Sequence, residues 1–347
     1  GTSLFDATKV SLVIAVQVCG GATIWRSFRT RQVVTMPELL AMGLALGSFL
    51  SLLSFLALRS TSLREIAWCV PWIFIAIMVW IPKIRDLIGA VEVEKMATST
   101  VLAISIATLV SLTYWWFWLW PMIPALIIVR FVIFSRRRTN SLNVLATILL
   151  LTPLIALTVW LREFNLNWWV FSNDQVFSES LSHSLAIFGP NENIQIVGES
   201  LSYHWFSLAW AGMTTKAGAI GPWVVITKVL PICSLFGAIS LTWTCTRELT
   251  RSWLAPILSV TVLVLCSNAF RANPVLNFHS PTFFLSMVWL LGFTLIFILG
   301  INSRIRGAGF LLGLMLAASL GGKVSSGAVV FCGFMLCAAA SIVLVQH

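Results

Sequence analysis

Charged residues are scarce in this chain of 347 residues: they make up 10% of it, and 12 of them are acidic. A soluble domain usually carries about 25% charged residues, so this chain has too few charges to cover a water-facing surface. Hydrophobic residues make up 59% of the chain and come in long runs. A run of roughly 18 or more apolar residues is long enough to cross a bilayer core as a helix. The composition therefore excludes a soluble globular protein and indicates an integral membrane protein.

Three other patterns are missing. The apolar runs do not alternate with polar residues as the strands of a transmembrane β-barrel do, so the spans must be helices whose backbone is satisfied internally. The seven cysteines form no C-x-x-C pair and lie in or beside apolar segments, which favours small packing residues over a disulfide or metal framework. The net charge of +10 comes without a basic stripe interleaved with aromatic residues, so we exclude a nucleic-acid partner.

The long apolar runs predict an all-α, polytopic transmembrane protein with about 11 spans. The predicted segments are 8–25, 36–58, 66–82, 98–118, 120–134, 142–161, 219–243, 253–269, 280–302, 307–321 and 326–345. The segments 120–134 and 307–321 are short, so we expect them to be tilted or broken. Residues 1–140 form a predicted five-span N-terminal region, and residues 141–347 form a membrane core. The chain stops just after an apolar run, which predicts that a further C-terminal part follows.

Basic residues divide the loops into two sets. The richer set holds Arg26, Arg29, Arg31, Lys83, Arg85, Lys95, Arg136, Arg137, Arg138, Arg247, Arg251, Arg304 and Arg306. The other set holds Lys9, Arg59, Arg64, Arg162, Lys216, Arg271 and Lys323. Alternating spans place each set on one side, and the positive-inside rule makes the richer side cytoplasmic. The long loop 162–221 is then extracytoplasmic.

This loop is the one sizeable polar stretch, with five of the twelve acidic residues and two of the four histidines. Ser172 and Gln175 fit a capping box, and apolar residues at helical spacing follow until Gly189-Pro190 ends the helix. This pattern predicts an amphipathic helix in the membrane interface. The aromatic segment Gly198–Gly212 is shorter than a span and predicts a second interfacial or re-entrant helix.

The polar side chains of the loop each allow two interpretations. Asp174, in the first helical turn, either favours the helix dipole, which spacing alone supports, or acts as a general base or metal ligand. Glu179 and His183 share a face at i,i+4, which favours a solvated ion pair over a substrate site. His204, between Tyr203 and Trp205, is either an amphipathic anchor or a binding residue.

From the loop onward the sequence resembles the membrane-embedded glycosyltransferases of the C-type (GT-C) fold. The resemblance covers roughly residues 141–347. It is carried by three stretches: D-Q-V-F-S-E-S-L-S-H-S-L-A-I-F-G-P, G-E-S-L-S-Y-H-W-F and G-L-M-L-A-A-S-L-G-G-K-V-S-S-G. The third, Gly313 to Gly327, is similar to the short span ending in Lys in many members. About five spans precede the presumed first core helix here, whereas the family usually places its acidic loop right after its first helix.

The resemblance implies transfer of a sugar from a polyprenyl-phosphate carrier to a glycan, lipid or protein acceptor. It implies a cell membrane, a bacterial plasma membrane, with the active face extracytoplasmic and in contact with membrane lipids. Asp174 matches the family's acidic residue, which is the catalytic base or the ligand of a divalent metal ion.

The phosphate needs positive charge beside it. Lys323 and Arg271 are predicted at the same face as Asp174, and Lys228 is a second candidate within an apolar segment. For Lys323 an outward-snorkelling interfacial lysine is an equal alternative. His279 either contacts the sugar or phosphate or, as its position favours, begins a span. Two other functions stay open: a transporter or flippase of a lipid-linked substrate, and a non-catalytic membrane subunit.

Overall fold

The fold is described from a computed structural model. The described residues are 4–30, 33–81, 92–93, 173–189, 204–250 and 281–325, with short pieces at 255–256, 258–260, 262–263, 327–329, 331–333 and 335. The helices are α1 Leu4–Phe28, α2 Met36–Ala57, a 3-10 helix Ser62–Cys69, α3 Val70–Val79, α4 Asn173–Phe188, α5 Phe206–Gly218, α6 Pro222–Leu249, α7 Pro281–Ile301 and α8 Ala308–Gly322. Two-residue strands β1 Val33–Val34 and β2 Glu92–Val93 pair in parallel.

The chain is therefore a helical membrane protein. In its described part four helices are long and apolar enough to cross a bilayer: Thr8–Phe28, Met36–Ala57, Pro222–Leu249 and Pro281–Ile301. They coincide with predicted segments 8–25, 36–58, 219–243 and 280–302. Helix α8 has 15 residues and is apolar but shorter than a span, as predicted for 307–321.

The remaining predicted spans are either shorter than predicted or lie wholly or mostly outside the described residues. The segment 66–82 begins within the 3-10 helix and continues as α3, which has 10 residues. Segments 98–118, 120–134 and 142–161 lie outside the described residues, and so do most of 253–269 and 326–345. The count of 11 spans, the five-span region 1–140 and the boundary at 141 stay predictions.

Close packing of α1 on α2 depends on glycines. A Cβ atom at Gly47 would overlap the carbonyl oxygen of Gln17, and a Cβ atom at Gly21 would overlap that of Gly43. Gly43 and Gly47 are four residues apart and therefore lie on one face of α2. Small residues at this spacing let two membrane helices approach until their backbones touch, which strengthens the dispersion contacts that hold helices together in lipid.

Helix α6 is interrupted near its beginning. It starts with an α-helical turn at Pro222–Val224, continues as a π-helical turn at Val225–Val229, and is α-helical again from Leu230. Pro231 explains the wider turn, since proline has no N–H to donate to the carbonyl of Thr227 and its ring crowds that carbonyl. Lys228 lies within this π-helical turn.

One end of the bundle gathers residues of the richer basic set. The end of α1 meets the loop between α7 and α8, where the backbone N–H of Arg306 donates to the carbonyl of Phe28 at 2.7 Å. Arg304 also pairs with Glu248 at the end of α6. Beneath them Arg29 forms a buried ion pair with Glu38, at 3.0 Å between Nε and Oε1. The described members of this set therefore share one end, as alternation predicted.

The opposite end of the bundle carries the described residues of the other set and the two described helices of the polar loop. Arg64, in the 3-10 helix, donates to the carbonyl of Ile187 in α4 at 2.7 Å. Lys216, near the end of α5, pairs with Glu65 at 2.6 Å. Gly189, just after α4, lies against Arg59 beyond the end of α2. We call this the loop-side end; that it faces the extracytoplasmic space stays a prediction from the charge bias.

Candidate functional site

Three helix termini meet at the loop-side end and form the candidate site: the start of α5, the start of α7 and the end of α8. The hydroxyl of Ser207 in α5 donates to the carbonyl of Thr282 in α7 at 3.0 Å, and both residues are buried. Gly321 in α8 lies so close to the ring of Phe206 that a Cβ atom there would overlap it. The residues that flank these contacts, His204, Phe283 and Lys323, are therefore brought into one neighbourhood.

Lys323 sits where α8 ends and the chain bends. Its backbone is extended, with φ of −156°, and its N–H still donates to the carbonyl of Ser319 at 2.9 Å. Its own carbonyl accepts from the N–H of Gly327 at 3.1 Å, which begins the next helical turn. The ammonium lies 5.8 Å from the ring centroid of Phe283, a distance at which a cation and an aromatic face attract. Lys323 is half-buried, at the loop-side end as predicted.

The contact between Phe206 and Gly321 brings His204 into the neighbourhood of Lys323, since each of the two lies two residues from that contact. The side chain is half-buried just before α5 begins. Burial, with a further contribution from the positive charge of Lys323, lowers the pKa of His204 from 6.5 to about 4. Both effects disfavour the imidazolium, because burial removes water from the charged form and a like charge repels it. At neutral pH the site therefore pairs one ammonium with a neutral imidazole.

Helix α5 is buried rather than interfacial. The predicted segment was Gly198–Gly212, whereas the helix runs from Phe206 to Gly218, and residues 207–215 are all buried. Trp210 donates its indole N–H to the side-chain oxygen of Gln17 in α1 at 2.8 Å. The prediction left an interfacial and a re-entrant helix open, and the burial of 207–212 argues against the interfacial alternative. Residues 198–203 lie outside the described residues.

Helix α4 carries Asp174 at its second residue and ends at Phe188, as the periodicity and Gly189 predicted. Gly189 has φ of +78°, the left-handed conformation that ends helices and suits glycine. Leu181 and Leu185 are buried, while Phe188 is exposed. The side chain of Asp174 and the capping residue Ser172 lie outside the described features, so neither the cap nor the catalytic role is tested.

Glu179 differs from its predicted surroundings. It accepts a hydrogen bond from the backbone N–H of Trp223 in the first turn of α6, so it caps that span from a neighbouring helix. Burial raises the pKa of its carboxyl, while the charge of the neighbouring His183 and the hydrogen bond act in the opposite direction. His183 itself is exposed. Glu179 is thus a half-buried cap with an adjacent histidine, not a fully solvated ion pair.

The other predicted binding residues are not gathered at this site by any described contact. Lys228 lies in the π-helical turn of α6, inside a candidate span. Arg271 and His279 lie outside the described residues. Among the described residues no group of three or more His, Cys, Asp or Glu side chains is placed to hold a metal ion. The divalent metal ion stays an expectation attached to Asp174.

Sequence reasoning did not single out Phe283, the aromatic ring beneath Lys323, or Gln17, the buried partner of Trp210. Phe283 lies in a continuous apolar run, where nothing in the pattern distinguishes one phenylalanine from another. Gln17 gave a weak signal as a polar residue inside an apolar segment, because such residues in a span usually bond a neighbouring helix.

Comparisons of the chain with protein-family models, with curated proteins and with solved structures found no match. The resemblance to the GT-C glycosyltransferases therefore rests on the sequence motifs alone.

Proposed function

We propose that this protein is an integral-membrane glycosyltransferase of the GT-C type. It moves a sugar from a polyprenyl-phosphate carrier to an acceptor at the extracytoplasmic face of a bacterial plasma membrane. The acceptor is a glycan, a lipid or a protein. Asp174 serves as the general base or as the ligand of a divalent metal ion, and Lys323 binds the carrier phosphate.

The observation that carries the proposal is the position of Lys323. It lies half-buried at the loop-side end, against Phe283 and next to His204. Helix α4, which bears Asp174, packs at the same end through Ile187 and Gly189. A phosphate-binding cation and an acidic helix at one end of the bundle are what transfer from a lipid-linked donor needs.

The reaction needs a base for the acceptor proton and a cation for the leaving phosphate. The acceptor hydroxyl loses a proton as its oxygen attacks the anomeric carbon, and a positioned carboxylate that takes this proton contributes about 10²–10⁴-fold in rate. The bond between the anomeric carbon and the phosphate oxygen breaks, and its electron pair stays on the phosphate. A fixed cation beside that oxygen stabilises the developing charge. Asp174 and Lys323 supply these two functions in the proposal.

The test is sugar transfer from a polyprenyl-phosphate donor by the purified protein in lipid nanodiscs. Asp174→Asn should lower turnover by about 10²-fold or more, as expected for loss of a general base. Ser180→Ala is the matched control, because Ser180 lies on the same helix and is exposed. Equal turnover of wild type and Asp174→Asn would remove Asp174 from the mechanism. No turnover by wild type with any polyprenyl-phosphate sugar would refute the enzyme class.

A transporter or flippase is a second candidate, and the interrupted helix α6 favours it. Discontinuous spans with a charged residue near the break are common at transporter binding sites. Here the π-helical turn contains Lys228, and Pro222 and Pro231 flank it. Flux of a lipid-linked sugar across proteoliposomes would support this function, especially if Lys228→Met abolished it. Transfer without flux would exclude it.

A further inference from the structure

The site pairs a lysine with a histidine whose charge depends on its surroundings. The ammonium of Lys323 lies over the face of Phe283, and its charge acts on the imidazole of His204. The chain holds the two side chains there through packing on both sides of them. Ser207 bonds Thr282, and Phe206 fills the space left by Gly321. The pair has one permanent positive charge and one that appears only when the imidazole takes up a proton.

We infer that His204 is a conditional second cation, which takes up a proton when a phosphomonoester dianion binds at Lys323 and stays neutral when a phosphodiester monoanion binds there. This inference rests on the proposed function, because the donor and the product of that reaction differ by this one charge. The donor phosphate is a diester with a single negative charge. The product carrier phosphate is a monoester, which gains a second charge when the bond to the sugar breaks.

The charges around His204 allow this change. The start of α5 packs on α2 through Phe49, whose ring centroid lies 6.0 Å from that of Phe206, and on α7 through Thr282. These two neighbours are uncharged. Helix α8 contributes Lys323, whose positive charge acts on the imidazole. A dianion at Lys323 offsets this repulsion and adds attraction, so the bound anion favours the imidazolium.

Two protons move in this scheme, and each has a donor and an acceptor. In the reaction the acceptor hydroxyl releases one proton to the base, and the phosphate keeps the electron pair of the broken bond. His204 takes its proton from water. Because proton and dianion binding favour each other, the affinity for the monoester should fall as pH rises, by up to about tenfold per pH unit where uptake is complete. A phosphodiester does not titrate in this range, so its affinity should depend much less on pH.

The experiment counts protons on binding. Calorimetry is run on the full chain in nanodiscs of zwitterionic lipid at about pH 7, where a monoester with a second pKa near 6 is mostly dianionic. Each titration is repeated in two buffers that differ in ionisation enthalpy. The probes are farnesyl phosphate, farnesyl methyl phosphate and inorganic phosphate. The variants are His204→Gln, Lys323→Met and, as the control, His183→Gln, whose side chain is exposed on α4.

The expected result is uptake of at least about half a proton per farnesyl phosphate by wild type and by His183→Gln, and none beyond the ligand's own by His204→Gln. Farnesyl methyl phosphate should bind without uptake. Lys323→Met should weaken both ligands. In that variant without ligand, NMR titration of the His204 imidazole should show a higher pKa, since the repelling charge is gone. The last measurement needs only folded protein and no ligand.

Other outcomes separate the two proposals. Binding of both lipid phosphates by wild type, with the same proton count as His204→Gln, overturns the inference and leaves the glycosyltransferase standing. Failure of wild type to bind either lipid overturns both. Binding of inorganic phosphate as tightly as farnesyl phosphate would assign the site to a free phosphate and overturn the lipid carrier. An unchanged imidazole titration in Lys323→Met would show that the two groups do not interact.

Discussion

Glu38→Gln should strongly destabilise the protein, because it leaves Arg29 buried without its counter-charge. The two side chains are 2% and 1% exposed, and their charged groups are 3.0 Å apart. At an effective dielectric constant of about 20, two unit charges at that separation attract by roughly 5 kcal/mol. Removing one partner of a buried pair typically costs 3–5 kcal/mol, so about 4 kcal/mol is the expected loss in the free energy of unfolding.

The choice of glutamine isolates the charge. The indole N–H of Trp25 donates to Glu38 Oε1 at 2.9 Å, and a glutamine oxygen keeps an acceptor there. Arg29→Met should be costly too, since it leaves the carboxylate of Glu38 buried without the charge of Arg29. The double variant should recover much of the stability, because neither side chain then carries a charge that must be buried.

The assay is reversible unfolding in mixed micelles with increasing denaturing detergent, followed by circular dichroism. The four proteins form a double-mutant cycle, and the expected coupling energy is about 3 kcal/mol. The control Arg306→Met lies at the same end of the bundle but is exposed, and should change stability by less than about 0.5 kcal/mol. Additive single effects, within about 0.5 kcal/mol, would refute the claim that this pair is an interacting buried unit.

Three further predictions follow from the packing and the loop-side charges. Gly47→Ala should loosen α1 from α2 and destabilise by about 2 kcal/mol or more, whereas Gly313→Ala, which meets open space, should be neutral or slightly stabilising in the same unfolding assay. Burial raises the pKa of Glu179 above 4.5, so ionisation of its carboxyl weakens the folded state. A pH series of unfolding measurements should therefore show Glu179→Gln gaining stability relative to wild type from below pH 4.5 to neutrality. A stability difference that does not depend on pH would contradict this. The hydrogen bond from Lys216 lowers the pKa of Glu65, so this exposed pair stabilises above pH 4.5 and not in acid; Lys216→Ala should change Tm little, and less in high salt.

The sequence alone was sufficient for the four candidate membrane helices of the described part and for several of their limits. Long apolar runs predict spans because the bilayer leaves the backbone no other partner than itself. The run 280–302 is observed as Pro281–Ile301, and the helix that begins at Asn173 ends before Gly189. These features are local: a helix in lipid is defined by its own residues. The grouping of basic residues at two ends followed for the same reason, since each span reverses the chain.

Tertiary structure decided what each polar side chain does. Spacing paired Glu179 with His183, whereas packing brings it to the N–H of Trp223 and makes it a cap. Composition and length left an interfacial and a re-entrant helix open for Gly198–Gly212, whereas packing buries the part of it that forms α5. Most clearly, His204 and Lys323 lie far apart in the chain and come together only because the start of α5 contacts the end of α8. Helix association in a membrane depends on the fit of small residues and on polar contacts between helices, and these are properties of pairs of segments that no single segment encodes.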